Sequence, residues 1–287
     1  MLRAWHESDP TARLRGVTLA LIRATHPEPA AAVTVVAGLL ALTIGHSLGS
    51  TALVTATVAA SQLAVGWSND AIDASRDRQA GRVDKPISQG RVSRRTVAVA
   101  AAAAAAATVA LALPFGALAT AAVTAGLVSA LAYNWPLKST VLSPLPYLIS
   151  FAALPGFVVL ALPGTPPAWM LLAGALLGAG AHFANVLPDL ADDAATGVRG
   201  APHRLGRQGS ELVASGLLLA ATGVLVAGPP GRPAWWAWAG AVAVAVILPA
   251  GWYAARRAAA HGRRSAALFR AFLVAAVINV SLLFAGT

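Results

Sequence analysis

The sequence predicts an all-α polytopic membrane protein, a bundle of nine transmembrane helices. Three observations predict it: a very apolar composition, nine long apolar stretches, and basic residues gathered into alternate loops. Of 287 residues, 57% are hydrophobic and only 11% are charged, with a mean hydropathy of +0.67. A soluble domain carries about 25% charged residues, so a soluble globular, disordered or fibrous chain is excluded. There is no cysteine, which excludes disulfides, thiolate catalysis and cysteine-based metal sites.

A bilayer-crossing helix needs about 20 mostly apolar residues. Nine stretches qualify: 29–48, 51–70, 96–113, 115–134, 143–162, 167–187, 211–228, 233–253 and 266–285. Gly49, Pro114, the Pro163–Pro167 stretch and the Pro229–Pro233 stretch mark short joints between them. The alanine run 100–107 suits a helix and, with Gly174 and Gly178, close helix packing in lipid. Residues 1–28 read as a polar cytosolic segment, because Glu7, Asp9 and Pro10 interrupt the apolar run that a signal peptide requires. Within it, 14–25 suits either a short interfacial helix or a frayed tail. Residues 29–287 read as a single domain built from two weak internal repeats.

The net charge is +10. Twenty of the 21 Lys and Arg fall in the N-terminal segment and in the connections after the second, fourth, sixth and eighth stretches; Arg232 alone falls on the other side. By the positive-inside tendency, the N-terminus faces the cytoplasm and the C-terminus the outside of the plasma membrane. The basic surplus is thus a topology signal, with the bilayer as partner and no nucleic acid. No obligate protein partner is indicated.

Seven of the 11 acidic residues fall in two stretches, Asp70, Asp73, Asp77 and Asp84, then Asp189, Asp192 and Asp193. Each begins at the cytoplasmic end of an expected helix. A solvated polar loop would explain either one alone, but two features argue otherwise. Asn69, Asp73 and Asp77 recur every four residues, with Asp70 three before Asp73, so they share one helical face. Carboxylates so placed repel one another unless a cation or open water lies among them. The second feature is an internal repeat: shifting the chain by 116 residues superimposes Asn69 on Asn185, Asp73 on Asp189, Asp77 on Asp193, Gly81 on Gly197, Pro86 on Pro202, Gly90 on Gly206 and Arg91 on Arg207. These are seven identities in 23 positions, where chance gives roughly two. Four expected helices separate the copies, so both acidic ends face one mouth.

Hard carboxylate ligands in this number suit Mg²⁺, which is held by a few carboxylates together with substrate phosphates. Without cysteines or a histidine pair at ligand spacing, zinc and copper do not fit. Asp70, Asp73, Asp77, Asp189 and Asp193 supply five negative charges, and a diphosphate adds roughly three. Two or three Mg²⁺ with one or two of the nearby Lys and Arg bring such a site close to neutrality. The expected ligand is a diphosphate carrying a lipid tail.

Asn69-Asp70-x-x-Asp73-x-x-x-Asp77 resembles the first aspartate-rich motif of the UbiA superfamily of intramembrane prenyltransferases, and Asp189-x-x-x-Asp193 resembles the second. The tails Gly81-Arg82-Val83-Asp84-Lys85-Pro86 and Gly197-Val198-Arg199 are similar to those of the family. Tyr133-Asn134-Trp135-Pro136-Leu137-Lys138 is similar to its Tyr and Lys element after the fourth helix, with one more intervening residue than usual. The resemblance covers about 15–285 and implies a Mg²⁺-dependent transfer of an isoprenoid chain from a prenyl diphosphate to a small aromatic or hydroxyl acceptor. It implies metal ligation by Asn69, Asp70, Asp73, Asp77, Asn185, Asp189 and Asp193, diphosphate contacts from Arg82, Lys85, Lys138 and Asn69, and roles at the reacting centre for these aspartates with Lys138 and Tyr133. Trp67, Tyr133 and Phe183 are the aromatic residues expected near the mouth, where ring faces stabilise a cation.

Two alternatives remain at this level. A terpene cyclase of the same superfamily would use the same metal site without an acceptor. A transporter or lipid-binding channel would carry ionisable residues deep within its helices, and this chain keeps nearly all of them at helix ends. Of the remaining polar residues, His182 divides evenly between a site role and a structural hydrogen bond, His46 is expected at the outer interface, Asn279 in a packing contact, and Arg23 and His26 against anionic lipid, with orientation of an acceptor carboxylate as their alternative role. Trp235, Trp236 and Trp238 read as an interfacial belt.

Overall fold

The computed structural model describes residues 10–25, 27–79, 81, 85–195, 197–263 and 265–287. Arg82, Asp84 and His26, together with the side chain of Asp192, lie outside the described residues. The helices are α1 (Pro10–Arg23), α2 (Pro27–Thr43), α3 (Leu48–Gln79), α4 (Arg94–Ala112), α5 (Ala117–Asn134), α6 (Leu145–Leu160), α7 (Ala168–Val186), α8 (Leu190–Ala195), α9 (Ala201–Ala227), α10 (Trp235–Ala260) and α11 (Ala267–Ala285). Among the described residues, seven helices are long and apolar enough to cross a membrane; α2 and α6, with 17 and 16 residues, are apolar but shorter. The expected nine spans therefore correspond to seven full-length helices and two shorter ones. The chain is a multi-pass membrane protein.

Several boundaries differ from the expectation: α2 ends at Thr43 rather than 48, and α10 continues to Ala260 rather than 253. The second span does not end at 70 but continues as one 32-residue helix through Gln79, so the whole first acidic motif is helical. The polar turns 70–79 extend the helix because their side chains reach past the apolar bundle. The seventh span starts at Ala201 rather than 211, with a kink at Gly206. Residues 10–23, part of the polar N-terminal segment, form a helix. Trp67 Nε1 donates to Leu21 O at 2.9 Å and holds that helix against α3.

The repeat is visible in the backbone. The hairpins α3–α4 and α7–α9 each pack tightly and occupy equivalent places in two four-helix sets, α2–α5 and α6, α7, α9 and α10. Gly81 and Gly197 have φ of +66° and +86°, and Gly90 and Gly206 have +68° and +69°. This left-handed region is one that glycine enters without penalty, which explains why these four residues recur at a 116-residue shift. Arg94 Nε donates to Ala71 O at 2.8 Å and an Arg207 terminal N–H to Leu187 O at 3.1 Å. Ala71 and Leu187 are themselves equivalent under the shift, so each acidic helix end carries a guanidinium clamp.

Small residues bring the second set together. A Cβ on Gly178 would lie 2.5 Å from Tyr147 O and from Phe151 Cβ, and one on Gly174 would clash with Phe151 O. These contacts bring α7 against α6 as closely as backbones allow. Gly178→Ala is expected to lower the stability of the detergent-solubilised protein by about 1–3 kcal/mol, read by thermal unfolding, whereas Gly216→Ala, which meets open space, should leave it unchanged or raise it. His46 corrects an expectation. It is 6% exposed rather than interfacial, with Nε2 donating to Val158 O at 2.9 Å and Nδ1 accepting from Ser50 Oγ at 2.6 Å. A clamp between the α2–α3 turn and α6 satisfies the polar groups that burial would otherwise penalise. Asn279 is fully buried in α11, and its Nδ2 donates to Leu218 O at 3.4 Å, the expected packing role. Trp235 and Trp238 are exposed, as a belt requires.

Candidate active site

The site lies at one end of the bundle, where α3, the α5–α6 connection and the α7–α8 turn meet. Asp70 is 1% exposed, facing inward from α3, and its Oδ1 accepts from Lys85 Nζ at 2.8 Å. Its Oδ2 is buried and has no hydrogen-bond partner among the described residues. Asp73, one turn on, accepts Lys138 Nζ at 2.6 Å and an Arg76 terminal N–H at 2.9 Å. Asp77 is half-buried a further turn along the same face. Asp189 is exposed in the turn after α7, and Asp193 on α8 is partly buried, its Oδ2 lying 3.5 Å from His203 Nε2.

The two motifs converge. Asn69 and Asn185, the leading residues of the two repeat copies, line the same cavity. Lys138 lies between the motifs, within electrostatic reach of both Asp73 and Asp193. Burial pushes the Lys138 ammonium below its ordinary value, and the adjacent Asp73 carboxylate pushes it back up. Burial raises the Asp193 carboxyl above the usual carboxylate range; His203 opposes this, Asp189 adds to it, and Lys138 and Arg76 oppose it.

That cavity has a volume of about 370 Å³. Its mouth is formed by Asn69, Asn134, Tyr133 and Asn185, and Val58, Val123 and Phe157 close it deeper in the bundle. Val58 and Val123 each lie 11 residues along their helix from the mouth, about 16 Å at the rise of an α-helix. Tyr133 meets Tyr147 edge-on at 5.0 Å and His182 at 5.5 Å, and Tyr147 meets His182 at 4.8 Å. A second cavity of about 200 Å³, almost wholly apolar, runs between α2, α6, α7 and α11. The two share Val33, Phe151, Leu154 and Asn185 as a common wall.

Several expectations are corrected. Of the three aromatic residues expected at the mouth, only Tyr133 lines the cavity; Trp67 is used in fixing α1, and Phe183 is buried in the α7–α9–α11 core. Their aromatic neighbour is instead Tyr147, whose distance in sequence from the motifs gave no signal. His182 has a structural bond: Ser143 Oγ accepts the Ala201 N–H at 3.0 Å and donates to His182 Nε2 at 3.0 Å, joining the α5–α6 connection, α7 and the start of α9. Lys85 and Lys138 each form an ion pair, with Asp70 and with Asp73 respectively. His203 and Ser143 were not singled out by the sequence, because neither belongs to an identity of the repeat.

Among the described residues, no three His, Asp or Glu side chains converge on a common metal position. Lysine ammoniums occupy the carboxylate faces where such a cluster would form. The donor set nevertheless fits a hard divalent cation: carboxylate and amide oxygens from both motifs, with the buried, partnerless Asp70 Oδ2 as a donor lacking its acceptor's complement.

An all-helical bundle whose two acidic helix ends meet at one cavity defines a class, the polytopic membrane proteins with a site at one end of the bundle. The family model described as the UbiA prenyltransferase family matches residues 30–276, and the chain belongs to that family. Solved structures share the fold. A UbiA homologue from Archaeoglobus fulgidus bound to GPP and Mg²⁺ aligns with TM-score 0.69 at 15% identity, over 93% of this chain and 99% of that one. A digeranylgeranylglyceryl phosphate synthase aligns with TM-score 0.70 at 16% identity, over 96% and 98%. The apo UbiA homologue from Aeropyrum pernix K1 aligns with TM-score 0.67 at 22% identity, over 90% and 98%. No curated protein sequence matches the chain.

Proposed function

We propose that the chain is a Mg²⁺-dependent prenyltransferase that ionises a prenyl diphosphate at the motif end and passes the isoprenoid chain to a small aromatic or hydroxyl acceptor. The observation that supports it most is the convergence of Asn69 and Asn185, with Lys138 between Asp73 and Asp193, above a largely apolar cavity that also presents uncharged polar groups. The structural relative from Archaeoglobus fulgidus carries GPP and Mg²⁺, which agrees with this reading.

In this reading Asn69, Asp70, Asp73, Asp77, Asn185, Asp189 and Asp193 hold the metal, and Lys85, Lys138, Arg82 and Asn69 hold the diphosphate. Magnesium, when bound, supplies positive charge that offsets the charge developing on the leaving group. Lys85 and Lys138 exchange their aspartate partners for diphosphate oxygens. The C1–O bond breaks with its electron pair leaving on the diphosphate, whose growing charge the two ammoniums stabilise. The rings of Tyr133 and Tyr147 face the allylic cation. The apolar wall keeps water from it, and the acceptor attacks C1 and sheds a proton. The motif end and the N-terminus then face the cytoplasm, and the C-terminus the outside of the plasma membrane. Residues 29–287 act as one domain.

Diphosphate release from prenyl diphosphates in Mg²⁺, measured with and without candidate acceptors, tests the reading. Release that yields cyclic hydrocarbon with no acceptor added would replace it by the cyclase. A pH dependence follows from Asp193. Its carboxyl holds a proton to higher pH than an ordinary aspartate, and cation binding requires the ionised form. The Mg²⁺ concentration for half-maximal release is expected to rise as pH falls from neutral toward the acid range. Asp193→Asn should flatten that rise.

A further inference from the structure

We propose that the cavity beneath Asn69 and Asn134 is the acceptor subsite, that it takes an uncharged ring-bearing molecule with a hydroxyl or carbonyl group, and that Gln62 selects it. The inference rests on the prenyltransferase reading and adds to it the chemical class of the acceptor.

The two cavities differ in chemistry. The larger one exposes uncharged polar groups, among them Ser61, Gln62, Asn69, Asn134 and Tyr133, and among the described residues no Lys, Arg, His, Asp or Glu lines it. The smaller one is hydrocarbon apart from Asn185. An isoprenoid tail gains nothing from amides and hydroxyls, and it leaves them desolvated. The wholly hydrocarbon cavity therefore suits the tail, and the larger one, whose apolar wall also presents amides and hydroxyls, suits the acceptor. Their shared wall at Phe151, Leu154 and Asn185 is where C1 and a nucleophile could meet.

Gln62 is the decisive residue. It sits seven residues before Asn69 on α3, about 10 Å below the mouth. Polar side chains at such depth in a membrane bundle are costly and mark function. Most other polar groups here are already used: Asn134 Nδ2 donates to Val65 O at 2.9 Å, Ser61 Oγ to Val58 O at 2.7 Å, and Ser150 Oγ to Gly126 O at 2.8 Å. Gln62 makes one long contact among the described residues, Nε2 to Ser61 Oγ at 3.5 Å. Its amide keeps a donor and an acceptor for a ligand hydroxyl or carbonyl. An amide cannot neutralise a carboxylate, so a charged acceptor would be desolvated without compensation.

The test compares para-hydroxybenzoate with its methyl ester, the same ring with and without charge. Binding of each to the detergent-solubilised full-length protein is measured by isothermal titration, and transfer is measured with geranyl diphosphate. The wild type should bind the ester at least tenfold more tightly than the carboxylate. Gln62→Leu should weaken ester binding about three- to tenfold, the loss of one or two hydrogen bonds, with the KM for geranyl diphosphate unchanged. Gln62→Arg should invert the preference toward the carboxylate. Equal binding of both probes, binding of neither, or a changed chain-length preference in Gln62→Leu with unchanged ester binding would each overturn the proposal. So would ester binding in a protein that releases no diphosphate from any prenyl diphosphate, and that result would overturn the prenyltransferase reading as well. Preference for the carboxylate with normal diphosphate release would overturn this proposal alone.

Discussion

Asp73→Asn is expected to lower the rate of Mg²⁺-dependent diphosphate release by about 10²–10³-fold, while the KM for prenyl diphosphate stays level or falls. The split follows from the partners of this carboxylate. Asp73 alone holds both Lys138 and Arg76, at 2.6 and 2.9 Å. Replacing it with the amide keeps the shape and removes the negative charge. Two cations then lose their nearest counter-charge and keep the more distant Asp193, so an arriving diphosphate meets less competition for them. The substrate therefore binds at least as well. What is lost is a carboxylate for the cation, and with it the stabilisation that grows only as the leaving group departs. Steady-state kinetics across a Mg²⁺ series checks this. A rate within threefold of wild type would remove Asp73 from the site. A fall carried wholly by KM would mean that Asp73 binds substrate instead.

The largest expected effect on stability comes from the pair beside it. Lys85→Met leaves the Asp70 carboxylate 1% exposed and without its ammonium. Removing one partner of a buried pair costs about 3–5 kcal/mol. The double variant Lys85→Met with Asp70→Leu should recover most of that loss, since two apolar side chains demand no compensation. Thermal unfolding of the four proteins in one detergent gives the coupling directly. If Lys85→Met melts with the wild type, the pair is not the device that makes a buried aspartate tolerable on α3. The double variant should be inactive even though it is folded, which separates the fold's need for this pair from the chemistry's.

Much of this architecture was readable before any coordinates. The apolar stretches gave the helices to within a few residues, because lipid leaves the backbone few options other than a helix. The repeat implies the convergence of Asn69 and Asn185, because an even number of crossings returns the chain to one side. Two kinds of feature escaped. Where α3 and α9 run beyond the apolar region, hydropathy has nothing to count, so nine residues at 71–79 and ten at 201–210 read as connections. Side chains that act through tertiary neighbours, such as Ser143, Tyr147 and His203, lie far in sequence from what they touch. Trp67 and Phe183 were placed at the mouth by proximity along the chain, but their rings turn toward α1 and α9. Gln62 carries a signal of its own, a polar residue in the middle of an apolar span.

The length of α3 has a consequence for how a substrate arrives. Thirty-two residues measure about 48 Å, against a hydrocarbon layer of roughly 30 Å. Counted from Leu48, Asn69 stands near the far edge of the oil, and Asp77 a full 12 Å higher by the same rise, among the phospholipid headgroups. Under the proposed function, a prenyl lipid dissolved in that leaflet already carries its phosphates at this height. It would reach the carboxylates by gliding sideways, with no need to be lifted into water. The encounter is then two-dimensional, and turnover should follow the mole fraction of donor in the bilayer, remaining constant when the same vesicles are diluted in buffer.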